Sequence, residues 1–475
     1  MMSELFRNYG QSVAAIEESG KTITYNELFE FSDEMKSVIG RRTLVFALCS
    51  NCIGSLAGYV AFMNCDIVPL LLSEKLDGQL LEELLDSYHP EYLWVSEQKS
   101  EKFPAYVRVY EKYGYVLLKT NMDAYPMYEE LALLLTTSGS TGSPKLVRQS
   151  YQNIISNTKS IVQYLELDET ERPITTLPMN YTYGLSIINT HLYVGATLLL
   201  TEKTLMQKEF WSFFEEQNAT SFGGVPYIYE MLDKLRFFRM KLPSLRYTTQ
   251  AGGKLSPELH KKFAEHAKEN NQKFIVMYGQ TEATARMAYL PAENSLKKYG
   301  SMGIAIPGGR FELVDVNGDV IQSPETVGEL VYYGENVTLG YAQTGKDLRL
   351  GDERNGKLIT GDMAKMDVDG YYYIVGRKKR FLKIFGNRVN LDETERLIKG
   401  AFDGIECACG GQDDKMKIYI VKDSCSQHDM EEIKKFIALK TGLNSSAFRI
   451  VMITNVPKND AGKVLYSELE NVICE

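Results

Sequence analysis

Short apolar runs alternate with helical periodicity through the first third of the chain. Residues 43–50 read as a buried strand, 51–65 as a helix, 66–73 as a second strand, 76–89 as an amphipathic helix and 91–96 as a third strand. Strand, helix and strand at these lengths predict βαβ units and a mostly parallel sheet. The pattern recurs from Ser150 to Ala283, where a helical stretch at 257–270 precedes the apolar run Lys273–Tyr278.

Beyond Gly300 the texture changes. Residues 310–316, the Asn317-Gly318 pair and 319–322 predict a hairpin, because Asn-Gly suits the positive φ angles of a type I′ turn. A strand at 329–333 follows, then a second hairpin from 363–368, Asp369-Gly370 and 371–375. Together these predict an antiparallel, small-barrel-like region appended to an α/β body. Near Gly376 comes the basic run Arg377-Lys378-Lys379-Arg380, with Lys383 and Arg388 close behind. A helix at 391–400, a strand at Lys415–Val421, a helix at 430–441 and a strand at 448–454 then suffice for an α+β domain. The expected organisation is a large domain over 1–378 and a small one over 379–475.

At 475 residues the chain can bury a sizeable core, which excludes a disordered or disulfide-stapled mini-protein. Its net charge of −9 removes any global attraction for nucleic acid, so a bound anion must be held by local donors. No run approaches the length of a membrane span, and the first residues lack the pattern of a signal peptide. Seven cysteines, an odd and sparse count, suit a reducing compartment, so the expected location is cytoplasmic. Cys407 and Cys409 lack partners at zinc spacing and read as buried thiols.

The strongest chemical feature leaves an apolar strand at Leu135 and runs unbroken through Ser, Thr and Gly over 136–143 to Pro144 and Lys145. An arbitrary Ser/Gly-rich stretch is more often a flexible surface loop. The strand before it and the lysine after it favour a polyphosphate cradle: glycines admit backbone N–H groups, hydroxyls donate, and a lysine supplies charge. The spacing is not that of a Walker A loop. The segment resembles the phosphate loop of the adenylate-forming superfamily, which includes acyl-CoA synthetases, adenylation domains of nonribosomal peptide synthetases and firefly luciferases. Further motifs follow in that family's order across nearly the whole chain. They are Thr24-Tyr25-Asn26-Glu27-Leu28, Gly224-Val225-Pro226, Gly252-Gly253, Tyr278-Gly279-Gln280-Thr281-Glu282, Gly340-Tyr341, Thr360-Gly361-Asp362, Gly376-Arg377 and, finally, 457–463 ending in Lys463.

The resemblance implies an acid–thiol ligase that uses ATP and Mg²⁺ to make an acyl-adenylate, then passes the acyl group to coenzyme A. It also implies the site. Thr137, Ser138, Gly139, Ser140, Thr141, Gly142 and Lys145 would cradle phosphates. Thr281 would donate to the α-phosphate and Glu282 would hold Mg²⁺. Gly252, Gly253, Tyr278 and Gly279 would border the adenosine, with Asp362 and Arg377 at the ribose. Lys463 would bridge carboxylate and phosphate in the first half-reaction. Lys379 would be the hinge, and Lys383 and Gly386 would face the pantetheine arm in the second state. Tyr181 and Gly224 would line the acyl pocket, with Tyr227, Tyr229, Met277, Met287 and His191 as further candidates. The basic run would otherwise be a solvated face, or a dock for coenzyme A phosphates or an acidic carrier protein.

Two departures bear on the acid. Tyr181 stands where many acyl-CoA synthetases carry His, and Thr182 stands where amino-acid-activating members place an Asp. Without that carboxylate an α-ammonium would be costly to bury, so an α-amino acid is disfavoured. The expected partner is a small-molecule carboxylic acid. Loading of phosphopantetheine on a separate acyl carrier protein, a non-catalytic adenylate-binding module and luciferase-like oxidation are the alternatives.

Overall fold

The computed structural model describes residues 5–136, 145–378, 380–384, 387–402, 404–412, 414–441, 443–458 and 464–473. The chain divides into two compact units: Met1–Arg310 with Tyr332–Leu358, and Phe311–Val331 with Ile359–Glu475.

In the first unit an eight-stranded sheet runs in the order Gly340–Ala342, Leu146–Ser150, Leu131–Thr136, Val68–Ser73, Leu44–Cys49, Tyr92–Ser96, Tyr115–Lys119, Val107–Lys112. Its four central strands are parallel, as the βαβ pattern requires, but the strands on both flanks are antiparallel. The expectation of a mostly parallel sheet therefore holds only at the centre. One cause is local: Tyr113 and Gly114 both take positive φ, 54° and 73°, which makes a tight hairpin and needs no crossover helix. Helix Ile53–Asn64 is buried along its length except at Asn64, which explains its uniformly apolar sequence.

A second sheet sets Ser221–Gly224, Tyr247–Gln250 and Lys273–Tyr278 in parallel, with Ala288–Tyr289 and Ile304–Ala305 antiparallel at one side. Parallel strands deliver ligand-binding loops at their carboxyl ends. Those ends carry Gly224, the segment before Gly252, and Tyr278. The early Thr24-Tyr25-Asn26-Glu27-Leu28 motif has a structural explanation: Thr24 and Glu27 form a capping box on helix Tyr25–Ile39.

Arg310–Val314, Gly328–Tyr333, Lys357–Met366 and Tyr372–Arg377 line up as a four-stranded sheet, most of whose residues fall in the second unit. Its neighbouring strands make the antiparallel region expected after the α/β body, with Arg310–Val314 and Tyr372–Arg377 at the two ends of the strand order. The Asn317-Gly318 turn is not type I′. Gly318 has φ 91° while Asn317 does not enter the positive region, and Asp315 O accepts from Gly318 N–H at 3.2 Å. The Asp315 carboxylate decides this by accepting from the backbone N–H of Asn317 and Asp319, at 2.8 and 2.9 Å. Asp367 builds the same turn, accepting from the N–H of Asp369 and Tyr371.

Further on, Cys407–Gln412, Lys415–Val421 and Phe448–Ile453 form a three-stranded sheet covered by helices Leu391–Ala401 and Gln427–Thr441. Cys407 and Cys409 are buried in it, and burial pushes the Cys407 thiol up to about 12. The residues before and after position 379 are joined within this unit: Arg377 N–H donates to Asp392 at 3.3 Å. Arg380 is not part of a solvated face. Its guanidinium pairs with Asp392 at 2.8 Å and with Glu395, and lies 3.6 Å from the centre of the Tyr466 ring.

Candidate active site

The loop after Lys273–Tyr278 begins with Gly279, where a Cβ would lie 1.6 Å from Ala285 O, so no other residue fits without moving the backbone. Thr281–Ala283 is a single 3₁₀ turn, and the whole loop is held from several sides. Thr338 N–H and Oγ1 both donate to Glu282 O at 3.0 Å, and Arg354 Nη1 donates to it at 3.1 Å. Asn336 Nδ2 donates to Ala283 O and Arg286 O, at 2.9 and 3.1 Å. Thr182 Oγ1 donates to Thr284 O at 2.8 Å, so its side chain serves the loop backbone.

Tyr341 organises the charged part of this region. Its hydroxyl donates to Glu282 Oε1 at 2.7 Å. Lys145 Nζ lies 3.2 Å from the ring centre on this tyrosine, and Arg354 Cζ lies 4.5 Å from it. Burial and the Glu282 carboxylate both push the Tyr341 hydroxyl upward, so it remains a donor at neutral pH. The geometry thus gathers one carboxylate and two cations around one aromatic ring. Beside it opens a groove of about 510 Å³ bordered by Gly340, Tyr341, Gln343, Asp347, Glu353 and Arg354. Tyr341 and Arg354 were missed as site residues. Gly340-Tyr341 was visible as a motif, but nothing local to Arg354 signals its role.

Tyr181, expected on the acyl side, lies against Gly252, expected on the adenosine side. Tyr181 precedes helix Thr182–Val194, and a Cβ on Gly252 would lie 2.8 Å from the Tyr181 hydroxyl. Burial raises that hydroxyl to about 12. Gly253 packs on Pro226, and Gly224 on Ile228 and Tyr229. Tyr183 and Thr249 share a hydrogen bond of 2.7 Å through their hydroxyls. His191 lines a small cavity here, whereas Tyr227 is 41% exposed. Tyr278 is half-buried at its strand end, where Gln280 Nε2 donates to its hydroxyl at 3.3 Å.

In the second unit Asp362 and Arg377 are cross-strand partners, with Arg377 Nε 3.5 Å from Asp362 Oδ1. Lys378 pairs with Glu329 at 2.8 Å. Thr137, Ser138, Gly139, Ser140, Thr141, Gly142, Lys379, Gly386 and Lys463 lie outside the described residues, as does the side chain of Lys383. The strands flanking the Ser/Thr/Gly segment are adjacent and antiparallel, Thr136 pairing with Leu146, a hairpin setting unlike the strand-to-helix setting of a P-loop. No group of three or more His, Cys, Asp or Glu among the described residues would hold a metal by itself.

These features define a layered α/β protein in which Gly224, the segment before Gly252 and Tyr278 lie at the carboxyl ends of parallel strands. The chain belongs to the AMP-binding enzyme family, which matches residues 4–342. It is similar to a peroxisomal OPC-8:0-CoA ligase of Arabidopsis thaliana, 29% identical over 72% of this chain; the match spans 64% of that relative's length. A 2-succinylbenzoate–CoA ligase of Oceanobacillus iheyensis is 27% identical over 82% of this chain and 81% of its own. Among solved structures, the O-succinylbenzoate coenzyme A synthetase of Bacillus subtilis in complex with AMP superposes with a TM-score of 0.79. That alignment covers 99% of this chain and 97% of the other at 22% identity, and shows the shared fold.

Proposed function

We propose that this chain is an ATP-dependent carboxylic acid–thiol ligase. It joins a carboxylate to AMP with release of pyrophosphate, and then transfers the acyl group to coenzyme A. The observation that carries the reading is the Lys145–Tyr341–Glu282 cluster, set in a member of the AMP-binding enzyme family. Attack of a carboxylate on a polyanionic nucleotide needs cations and donors to cancel repulsion and to meet charge developing on the α-phosphate.

Lys145 and Arg354 supply fixed positive charge, and the Tyr341 hydroxyl holds the Glu282 carboxylate in one orientation. Mg²⁺ is commonly bound through one or two carboxylates with phosphates and water completing its shell, and Glu282 is a carboxylate suited to that task. When bound there it would neutralise phosphate charge. Thr281 is the proposed donor to the α-phosphate, and Asp362 and Arg377 are proposed at the ribose. Lys463 is proposed for adenylate formation. Lys383 and Gly386 are proposed for the thiol-transfer state, with Lys379 as hinge between domains 1–378 and 379–475.

Two relatives are named CoA ligases, which supports coenzyme A as acceptor over a carrier-protein phosphopantetheine. The free cysteines at 49, 52, 65, 407, 409 and 425 support a cytoplasmic location. No helix among the described residues is long and apolar enough to cross a membrane.

The test is pyrophosphate release from ATP across short, long, aromatic and hydroxy acids, repeated with coenzyme A and with a carrier protein. Acid-dependent release followed by thioester formation with coenzyme A alone is expected. Release in no case would reduce the protein to a binding module, a carrier-only thioester would replace the acceptor, and acid-dependent oxygen consumption would favour the luciferase-like reaction.

A further inference from the structure

Arg286, just beyond the Glu282 loop, is 2% exposed. Its Nη1 donates to Tyr164 Oη and to Met277 Sδ, each at 3.1 Å, while Nε has no hydrogen-bond partner. The Tyr183 ring centre lies 5.1 Å from its Cζ. Among the described residues no Asp or Glu pairs with it. Arg148 shows what a purely structural buried arginine looks like in this protein. It donates to the carbonyls of Tyr341, Gly351 and Leu339 and pairs with Glu353. Arginine side chains stay protonated in proteins, and burying such a charge without a counter-ion is unfavourable.

Arg286 also lines a small cavity of about 10 Å³, shared with Ile187, His191, Ser221, Gly223 and Tyr247 among others. That space admits a water or the tip of a small polar group, not a bulky chain. The neighbours do not offset the charge. His191 Nδ1 lies 2.8 Å from Ile187 O, which only accepts, so Nδ1 carries the proton and Nε2 accepts from the Tyr247 hydroxyl at 3.1 Å. Burial holds this imidazole neutral, down at about 4. The cavity borders strand Ser221–Gly224, whose last residue belongs to the expected acyl pocket.

Resting on the ligase reading above, we propose that Arg286 receives a second anionic group of the acid substrate, so that the enzyme acts on dicarboxylic acids. A distal carboxylate has the right charge, meets a planar donor fork that still has N–H capacity, and is small enough for a tight polar end. A monocarboxylic acid would put an apolar tail against an unpaired guanidinium, leaving the cost of the buried charge in place.

The test compares pyrophosphate release for acids matched in carbon number: butanoate with butanedioate, pentanoate with pentanedioate, hexanoate with hexanedioate, and benzoate with benzene-1,2-dicarboxylate. In at least one pair the diacid is expected to have the higher kcat/KM by about 10²-fold or more, since a site built to pair a polar group rejects the analogue lacking it. Arg286→Leu should bring that ratio to within about threefold, and Arg286→Lys should retain part of it. A wild-type preference for the monoacid in every pair overturns the inference and leaves the ligase reading intact. If no acid releases pyrophosphate, the ligase reading fails separately. Calorimetric binding of the same pairs then decides, with equal affinity within each pair overturning the role of Arg286. The wild-type comparison stands even if neither variant folds.

Discussion

Asp362 and Arg377 face each other on adjacent antiparallel strands, 3.5 Å apart between Oδ1 and Nε, yet their exposures differ sharply. Asp362 is 5% exposed, whereas half of the Arg377 side chain remains in solvent. At 3.5 Å the contact is long for a hydrogen bond, an ion pair rather than a tight donor–acceptor contact. Asp362→Asn should raise the KM for ATP by about 10- to 10²-fold, the worth of a hydrogen bond to a charged group. Pyrophosphate exchange at varied ATP checks this; an unchanged KM removes Asp362 from the nucleotide site.

Tyr341→Phe deletes the hydroxyl that orients Glu282 while keeping the ring beside Lys145. The Mg²⁺ concentration giving half-maximal pyrophosphate release should rise about 5- to 10-fold, in line with losing one charge-assisted hydrogen bond. Equal Mg²⁺ dependence in mutant and wild type would show that Glu282 needs no such support.

Lys463→Ala should slow adenylate formation by about 10²- to 10³-fold, comparable to removing one transition-state donor. Thioester formation from pre-formed acyl-adenylate should fall far less. Rapid-quench measurement of each half-reaction separates the two, and near-normal adenylate formation would remove the assignment.

Stability should fall on acidification below pH 6.5. Burial holds His191 and His260 neutral, each lowered to about 4. Between the ordinary histidine value and about 4 the unfolded chain binds protons that the native protein does not, so acid favours unfolding. Each histidine contributes on the order of 3 kcal/mol, fully present above pH 6.5 and lost as pH falls to 4. Urea titrations at pH 7 and 5 should show a lower midpoint at pH 5. His191→Gln should flatten the dependence, and a midpoint insensitive to pH would contradict it.

Gly279→Ala should be strongly disruptive, because its Cβ would overlap Ala285 O. Relief requires the Glu282 loop to shift, so activity should drop by at least about 10²-fold even in folded protein. Circular dichroism alongside turnover distinguishes local displacement from unfolding.

Local pattern was enough to read the parallel centre of the large sheet, because a strand buried on both faces must be continuously apolar, as Leu44–Cys49 and Val68–Ser73 are. The flanking antiparallel strands were not legible. Val107–Lys112 is largely exposed and polar, and its turn uses Tyr113, a residue with no turn signature. The Asn317-Gly318 turn was misread for a related reason: the Asp315 side chain outcompeted the local preference of Asn-Gly.

The order of short motifs along the chain was enough to point to the family, because glycines, hydroxyls and single charges carry their chemistry wherever the backbone takes them. Which charges would meet was decided only by tertiary structure. Arg380 looks like Lys378 in sequence, yet it is buried between Asp392 and Glu395. Arg354 and Tyr341 reach Glu282 across long stretches of chain, and Arg286 becomes notable only because folding removes it from water without giving it a carboxylate. Solvation and pairing of a charge depend on atoms distant in sequence, and no local pattern encodes them.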